Sequence, residues 1–356
     1  MQNLKRFLLG LAVILVSRFA MAATPPPAIT KTKSPTTAPT TRPTTRGVVH
    51  PPRLFGVSLC GAEFGESDLP GIYGRHYTYP PAQHLDYYKS HDIRLVRLPF
   101  RWERLQRALF DPLDLTELAR IDAFIAECRQ RGMQVILDPH NYARYNGKLI
   151  GSPEVPNEAF ADFWSRVAEH YRDETAIYAY GLVNEPHDTK GLWPAAAQAG
   201  VDGVRRQDRK HFILVPGDNW SSAKDWRKWN ENLSINDPGD RMVYEAHLYF
   251  DPDSKGTYED DYDEALAHPM LGVDRIKPFV EWLRDHGHAG FVGEYGIPGD
   301  DDRWLPVLDK SLEYLQVNDI GGCYWAGGPW WKDYILSLEP REGKDRPQMK
   351  VLKKYR

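Results

Sequence analysis

A chain of 356 residues with 42% apolar side chains can bury a sizeable core. Its net charge of -4, from 45 basic and 49 acidic side chains, gives no reason to expect nucleic acid or an anionic membrane as partner. Three cysteines without metal-ligand spacing exclude a disulfide framework and a zinc cluster.

The N-terminus reads as a processing segment. Lys5 and Arg6 precede an apolar run from Phe7 to Val16, and Ala20-Met21-Ala22 fits a small-x-small cleavage site. Residues 1–22 are expected to be a secretory signal peptide. Arg18 leaves an uncleaved anchor open, although the run is short for a membrane span. Residues 23–52 are rich in Thr and Pro and predict an extended, disordered linker. Residues 53–356 are globular in composition throughout and predict a single domain.

That domain alternates between two periodicities. Short apolar runs occupy Leu54–Leu59, Ile93–Leu98, Met133–Leu137, Tyr178–Val183, Phe212–Val215, Met242–His247, Gly290–Gly293 and Ile320–Trp325. Between them lie helical patterns. In Thr116–Arg131, Leu118, Ile121, Phe124, Ile125 and Cys128 share one face, and Gly132 stops the helix. Phe160, Phe163, Trp164 and Val167 form a second such face, and Leu312, Leu315 and Val317 lie in a third segment. Eight strand runs separated by helices predict an α/β fold, a (β/α)8 TIM barrel. A doubly wound sheet would need an early phosphate-binding glycine loop, which is missing. Cys60 and Cys323 fall in the first and last strand regions, where barrel closure brings neighbours together; buried free thiols are expected over a bridge.

Strand C-termini of such a barrel face one mouth. Reading off those ends assembles Arg97, His140, Asn184 with Glu185, Asn219 with Trp220, His247 with Tyr249, Glu294 and Trp325. Pro186 cannot extend a ladder, so the fourth strand is expected to end at Glu185. Two carboxyls among hydroxyl-binding groups suit hydrolysis of a glycosidic bond. One protonates the leaving oxygen and the other acts at the anomeric carbon.

The motifs Gly61-Ala62-Glu63-Phe64-Gly65, Asp138-Pro139-His140-Asn141, Asn184-Glu185-Pro186-His187, His247-Leu248-Tyr249, Gly293-Glu294-Tyr295-Gly296 and Tyr324-Trp325-Ala326-Gly327 resemble those of glycoside hydrolase family 5, and most of all its endo-β-1,4-glucanases. The resemblance runs from about Leu54 to Pro340. It implies Glu185 as general acid/base and Glu294 as nucleophile. It implies Asn184 on the 2-hydroxyl of the reacting sugar, Arg97 and Tyr249 on the nucleophile, His140 and His247 lining the subsite, and Trp325 as its floor. Tyr295 stands where the family usually has Phe.

The expected activity is retaining, endo-acting cleavage of β-1,4-glucosidic bonds in cellulose or related β-glucan. Mannan, xyloglucan or mixed-linkage glucan are alternatives with the same mechanism, and a non-catalytic polysaccharide-binding barrel is the alternative from another class. No cofactor is expected, and the partner is polysaccharide: no nucleic acid, no membrane once the signal is cleaved, and a secreted monomer. Trp220, Trp226, Trp229, Trp330 and Trp331 follow strand runs, and Trp330 and Trp331 are placed equally well in outer sugar subsites or in the core. His187 and Tyr142 either reach glucosyl hydroxyls or pack loops. Asp251-Pro252-Asp253 resembles the start of a calcium loop, but Lys255 spoils the ligand set.

Overall fold

The computed structural model describes residues 49–356; the expected signal peptide and most of the expected linker lie outside the described residues. Eight parallel strands close into a barrel in sequence order. They are β1 (Phe55–Leu59), β2 (Leu95–Phe100), β3 (Gln134–Pro139), β4 (Ile177–Gly181), β5 (Phe212–Pro216), β6 (Met242–Leu248), β7 (Gly290–Tyr295) and β8 (Gly321–Gly327). Each of the first seven strands is followed by a main helix: α1 (Ala82–Ser90), α2 (Leu115–Gln130), α3 (Asn157–Tyr171), α4 (Trp193–Arg205), α5 (Trp226–Asn230), α6 (Leu271–His286) and α7 (Leu305–Val317). This is the expected (β/α)8 barrel. No described helix is long and apolar enough to cross a membrane.

The helices form where their apolar stripes dictate. In α2, the Asp114 side chain accepts from the Glu117 N–H at 2.9 Å, satisfying an otherwise orphaned donor of the first turn. Leu118, Ile121, Phe124, Ile125 and Cys128 are all buried. Gly132 follows at φ +65°, a left-handed conformation that costs glycine little. In α7, Leu312 and Leu315 are buried and Val317 is 80% exposed. Two residues past Leu315, at about 100° per residue, turn Val317 to the opposite side.

The barrel interior is layered by the two-residue strand period. Leu95, Ile136, Phe212, Val243 and Phe291 belong to an apolar cluster of their own. One step further along the same strand faces come Arg97, Asp138 and Glu245, and one step beyond those, His140 and His247. An apolar floor therefore carries a buried charged layer, which supports the mouth.

Strand β7 contains an extra residue. Val292 pairs with Ala246 but Glu294 pairs with His247, so Gly293 is bulged out of register. All three cysteines are free and buried. Gly56 is the register partner of Cys323, so Cys60 lies four residues further along, roughly 13 Å away. That exceeds disulfide reach.

Candidate active site

Arg97 stands at the centre of the charged layer. Its Nη1 donates to Glu294 Oε1 at 2.8 Å and its Nη2 to Asn184 Oδ1 at 2.6 Å. Asp138 Oδ2 is 3.1 Å from Nη2, and Glu245 Oε1 is 3.7 Å from Nε. Burial disfavours charge on the guanidinium, but Asp138, Glu294 and Glu245 outweigh it and hold its proton more tightly than usual. Burial likewise opposes ionisation of Asp138, and Arg97 and His140 reverse that, holding it below the usual carboxylate range. Removing one partner from such a buried set typically costs about 3–5 kcal/mol, because the others keep uncompensated charge.

The second oxygen of Glu294 is also held. The Tyr249 hydroxyl donates to Glu294 Oε2 at 2.8 Å, and burial pushes the Tyr249 pKa up, so it stays a donor. Glu185 lies across from it. His247 Nδ1 is 2.7 Å from Glu185 Oε1 and 3.5 Å from Glu294 Oε2. One atom each from Glu185, His247 and Glu294 lie within 4.8 Å of one another. Two carboxylates and an imidazole at that spacing can share a cation. Burial opposes protonation of His247, but Glu294, Glu185 and Glu245 push its pKa up to about 10.

Glu185 corrects one expectation. Strand β4 ends at Gly181, four residues before Glu185, so Pro186 is not what stops it. Leu182 N–H still bonds Leu214 O at 3.0 Å and Asn184 N–H bonds Pro139 O at 2.9 Å, which carries the chain on between β3 and β5. At Glu185 φ reaches +42°, a region non-glycine residues adopt at about 1–3 kcal/mol. The strained turn, rather than a strand terminus, aims the carboxylate.

The other expected residues converge as well. Buried His140 directs Nδ1 to Asp138 Oδ2 at 2.9 Å and Nε2 to Asn184 Nδ2 at 3.2 Å. The Trp325 ring stacks against it with an interplanar angle of 16°. Trp331 meets Trp325 edge-on, and both line a pocket of about 270 Å³ with Glu63, Phe64, His140 and Tyr142. Trp330 is 43% exposed and stacks on Phe64, so it belongs to the rim and not to the core.

On the opposite rim, Trp220 is 46% exposed and lies flat on His187 with 3.6 Å between centroids. His187 in turn bonds the Glu185 carbonyl at 3.1 Å, and Tyr142 meets both rings edge-on. Residues Asn219, Trp220 and Ser221 all adopt positive φ, so the ring is presented by a strained turn. Beyond it, Asp188, Lys190, Asp218, Asn219 and Trp229 line a pocket of about 600 Å³. Trp229 is 52% exposed, whereas Trp226 is fully buried against Phe279 and Trp282 and is excluded as a sugar platform. Asp251 accepts backbone N–H groups of Gly256, Thr257 and Tyr258 at 3.0, 3.1 and 3.4 Å; its carboxylate caps its own loop.

Three participants were not singled out from the sequence. Asp138 and Glu245 each lie two residues before an expected site histidine, on the same strand face, so the period-2 rule was the available signal. Glu63 is buried, accepts from Gly61 N–H at 2.7 Å, and has its pKa raised by burial. Nothing in its sequence context marked it beyond its motif.

The model of the family "Cellulase (glycosyl hydrolase family 5)" matches residues 46–330. The endo-beta-1,4-glucanase B of Aspergillus niger is 34% identical over 295 residues, covering 81% of this chain and 86% of that one. Its counterpart in Emericella nidulans is 33% identical, covering 81% and 87%. Among solved structures, the Pseudomonas stutzeri endoglucanase Cel5A in complex with cellobiose is 47% identical with a TM-score of 0.82, covering 85% and 92%. XacCel5A in complex with cellopentaose is 36% identical with a TM-score of 0.81, covering 85% and 99%.

Proposed function

The chain belongs to glycosyl hydrolase family 5, the cellulase family, and from that premise we propose that it cleaves β-1,4-glucosidic bonds within cellulose or related β-glucan chains with retention of configuration. Glu294 is the nucleophile and Glu185 the general acid, then base. The carrying observation is the spacing of the two carboxylates, with one oxygen of each within 4.8 Å. A retaining pair works at about 5 Å, and an inverting pair needs about 6.5–9.5 Å to admit water between substrate and base.

The chemistry follows from the contacts. Glu294 attacks the anomeric carbon while the Glu185 proton passes to the departing glycosidic oxygen. A glycosyl ester on Glu294 results, and the leaving sugar departs as an alcohol. Water then enters; Glu185 takes its proton, the oxygen attacks the same carbon, and Glu294 is released as carboxylate. Arg97 and Tyr249 each hold one oxygen of Glu294, so the carboxylate is oriented before substrate arrives. Asn184, fixed through its own oxygen by Arg97, is the candidate partner of the 2-hydroxyl. The Trp325 ring, backed by His140, offers the flat apolar face against which a sugar ring packs.

The substrate assignment rests on the relatives. The two fungal relatives named above are endo-β-1,4-glucanases, the Pseudomonas stutzeri protein is an endoglucanase solved with cellobiose, and XacCel5A was solved with cellopentaose. Mannan, xyloglucan and mixed-linkage glucan remain the comparison substrates. Residues 1–22 are proposed as a secretory signal, 23–52 as a linker and 53–356 as the catalytic domain, exported to the periplasm or beyond.

The deciding experiment is trapping with a 2-deoxy-2-fluoro cello-oligosaccharide bearing an activated leaving group. The ester is expected on Glu294 by peptide mass spectrometry. A label on any other residue, or fast turnover on β-glucan with no trappable ester, would overturn the double-displacement reading.

A further inference from the structure

One buried carboxylate has no part in that mechanism. Glu245 lies in β6 two residues before His247, so both side chains enter the barrel. Its Oε1 lies 3.6 Å from His247 Nε2 and 3.7 Å from Arg97 Nε. Both Glu245 Oε1 and His247 Nε2 are buried without a hydrogen-bond partner among the described residues. Arg97 on β2 faces Glu245 and is shared with Asp138 on β3 and Glu294 on β7; Cys323 on β8 feels its charge, and Glu185 is reached through His247.

The fold makes room for this carboxylate. A Cβ on Gly293 would lie 1.7 Å from Glu245 Oε1. Gly293 is also the bulged residue of β7, directly before Glu294. The bulge that aims Glu294 at the mouth thus opens the space that Glu245 fills. A buried charge without close hydrogen bonds is costly, so its retention calls for a compensating interaction.

We propose that Glu245 is a positioning residue whose buried negative charge keeps the His247 ring doubly protonated, so that Nδ1–H is always donated to Glu185 Oε1. The consequence is geometric. With Oε1 accepting from Nδ1–H, the acid proton of Glu185 must sit on Oε2, where it faces the leaving oxygen. A neutral ring protonated only at Nε2 would accept at Nδ1 and draw the Glu185 proton away from the substrate. Glu245 makes and breaks no bond itself. The inference rests on Glu185 being the acid, but its first test does not.

That test is ¹⁵N–¹H NMR of the His247 ring in the whole enzyme. In the wild type both ring nitrogens are expected to stay protonated from pH 5 to about 9, in line with the raised proton affinity of this ring. A ring that turns neutral near pH 6.5, the ordinary histidine range, sinks the proposal without touching the glycosidase reading. In Glu245→Gln, whose shape is nearly unchanged, the ring is expected to titrate about one to two pH units lower. The alkaline limb of kcat/KM should move with it, kcat at pH 9 should fall about two- to tenfold, and lowering the pH should restore it. Glu245→Asp, which keeps the charge, should return the limb toward its wild-type position. A uniform loss at every pH, with the limb unmoved, would mean Glu245 only fills space.

Discussion

The Tyr249 hydroxyl lies 2.8 Å from Glu294 Oε2, so the oxygen turned away from Arg97 already carries a hydrogen bond before any substrate binds. This contact orients the carboxylate, and under the proposed mechanism it weakens as Glu294 bonds to carbon. Tyr249→Phe keeps the ring and removes only the hydroxyl. A hydrogen bond to a charged group contributes about 1.5–3 kcal/mol, so kcat on cello-oligosaccharides should fall roughly 10- to 100-fold. Circular dichroism should be unchanged. A kcat within twofold of wild type would show that the bond has no part in orienting Glu294.

Glu185 is aimed by a backbone at φ +42° and contacted by His247 at 2.7 Å. If it donates the proton, its loss matters only where the leaving group needs one. Glu185→Gln is expected to lower turnover of cello-oligosaccharides by about 10²–10⁴-fold, yet form the glycosyl ester from a dinitrophenyl cellobioside at a nearly unchanged rate. The ester should then accumulate, since the base for the second step is missing, and added azide should relieve it. Equal losses on both substrates would count against the assignment.

Two shifted groups set opposite edges of the pH–stability curve. His247 is raised to about 10, above its ordinary 6.5, so its stabilisation is complete below pH 6.5 and is lost as pH climbs to about 10. The fall should be on the order of a few kcal/mol, and calorimetry of His247→Gln should give a flatter alkaline slope. For Asp208, burial opposes ionisation, but the His211 side chain and the backbone N–H groups of Lys210 and His211 hold its pKa at about 2. That group is depressed below 3.8, so its stabilisation is present above pH 3.8 and is lost between there and about 2. Asp208→Asn should lose stability at neutral pH and show a shallower acid transition.

The pocket of about 600 Å³ beyond Trp220 offers the exposed Trp229 ring among Asp188, Asp218 and Lys190. A chain long enough to reach it gains a stacking contact; a short one does not. Trp229→Ala should raise KM for long β-glucan about 2- to 10-fold, from roughly 0.5–1.5 kcal/mol of stacking, with cellotriose unaffected. Its exposure predicts an unchanged melting temperature. Equal effects on both substrate lengths would remove the pocket from the substrate path.

Much of this molecule was legible in the chain itself. Alternating apolar runs and amphipathic stripes predicted the barrel because each element buries a face of known period, and Leu118 to Cys128 lie as that period requires. Trp226 and Trp229 share one short helix, and only packing against Phe279 and Trp282 decides which of them is buried.

The sequence by itself determined the strands, the helices and the candidate set Arg97, His140, Asn184, Glu185, His247, Tyr249, Glu294 and Trp325, because local period and motif are properties of neighbouring residues. Barrel closure decided the rest. Only there do Asp138, Glu245 and Glu294, spread over three strands, come within 4 Å of the Arg97 guanidinium on a fourth. The exit of the chain at Gly181, the left-handed turn at Glu185 and the bulge at Gly293 likewise answer to neighbours far off in sequence. Charge and register are settled between strands, across distances no local pattern encodes.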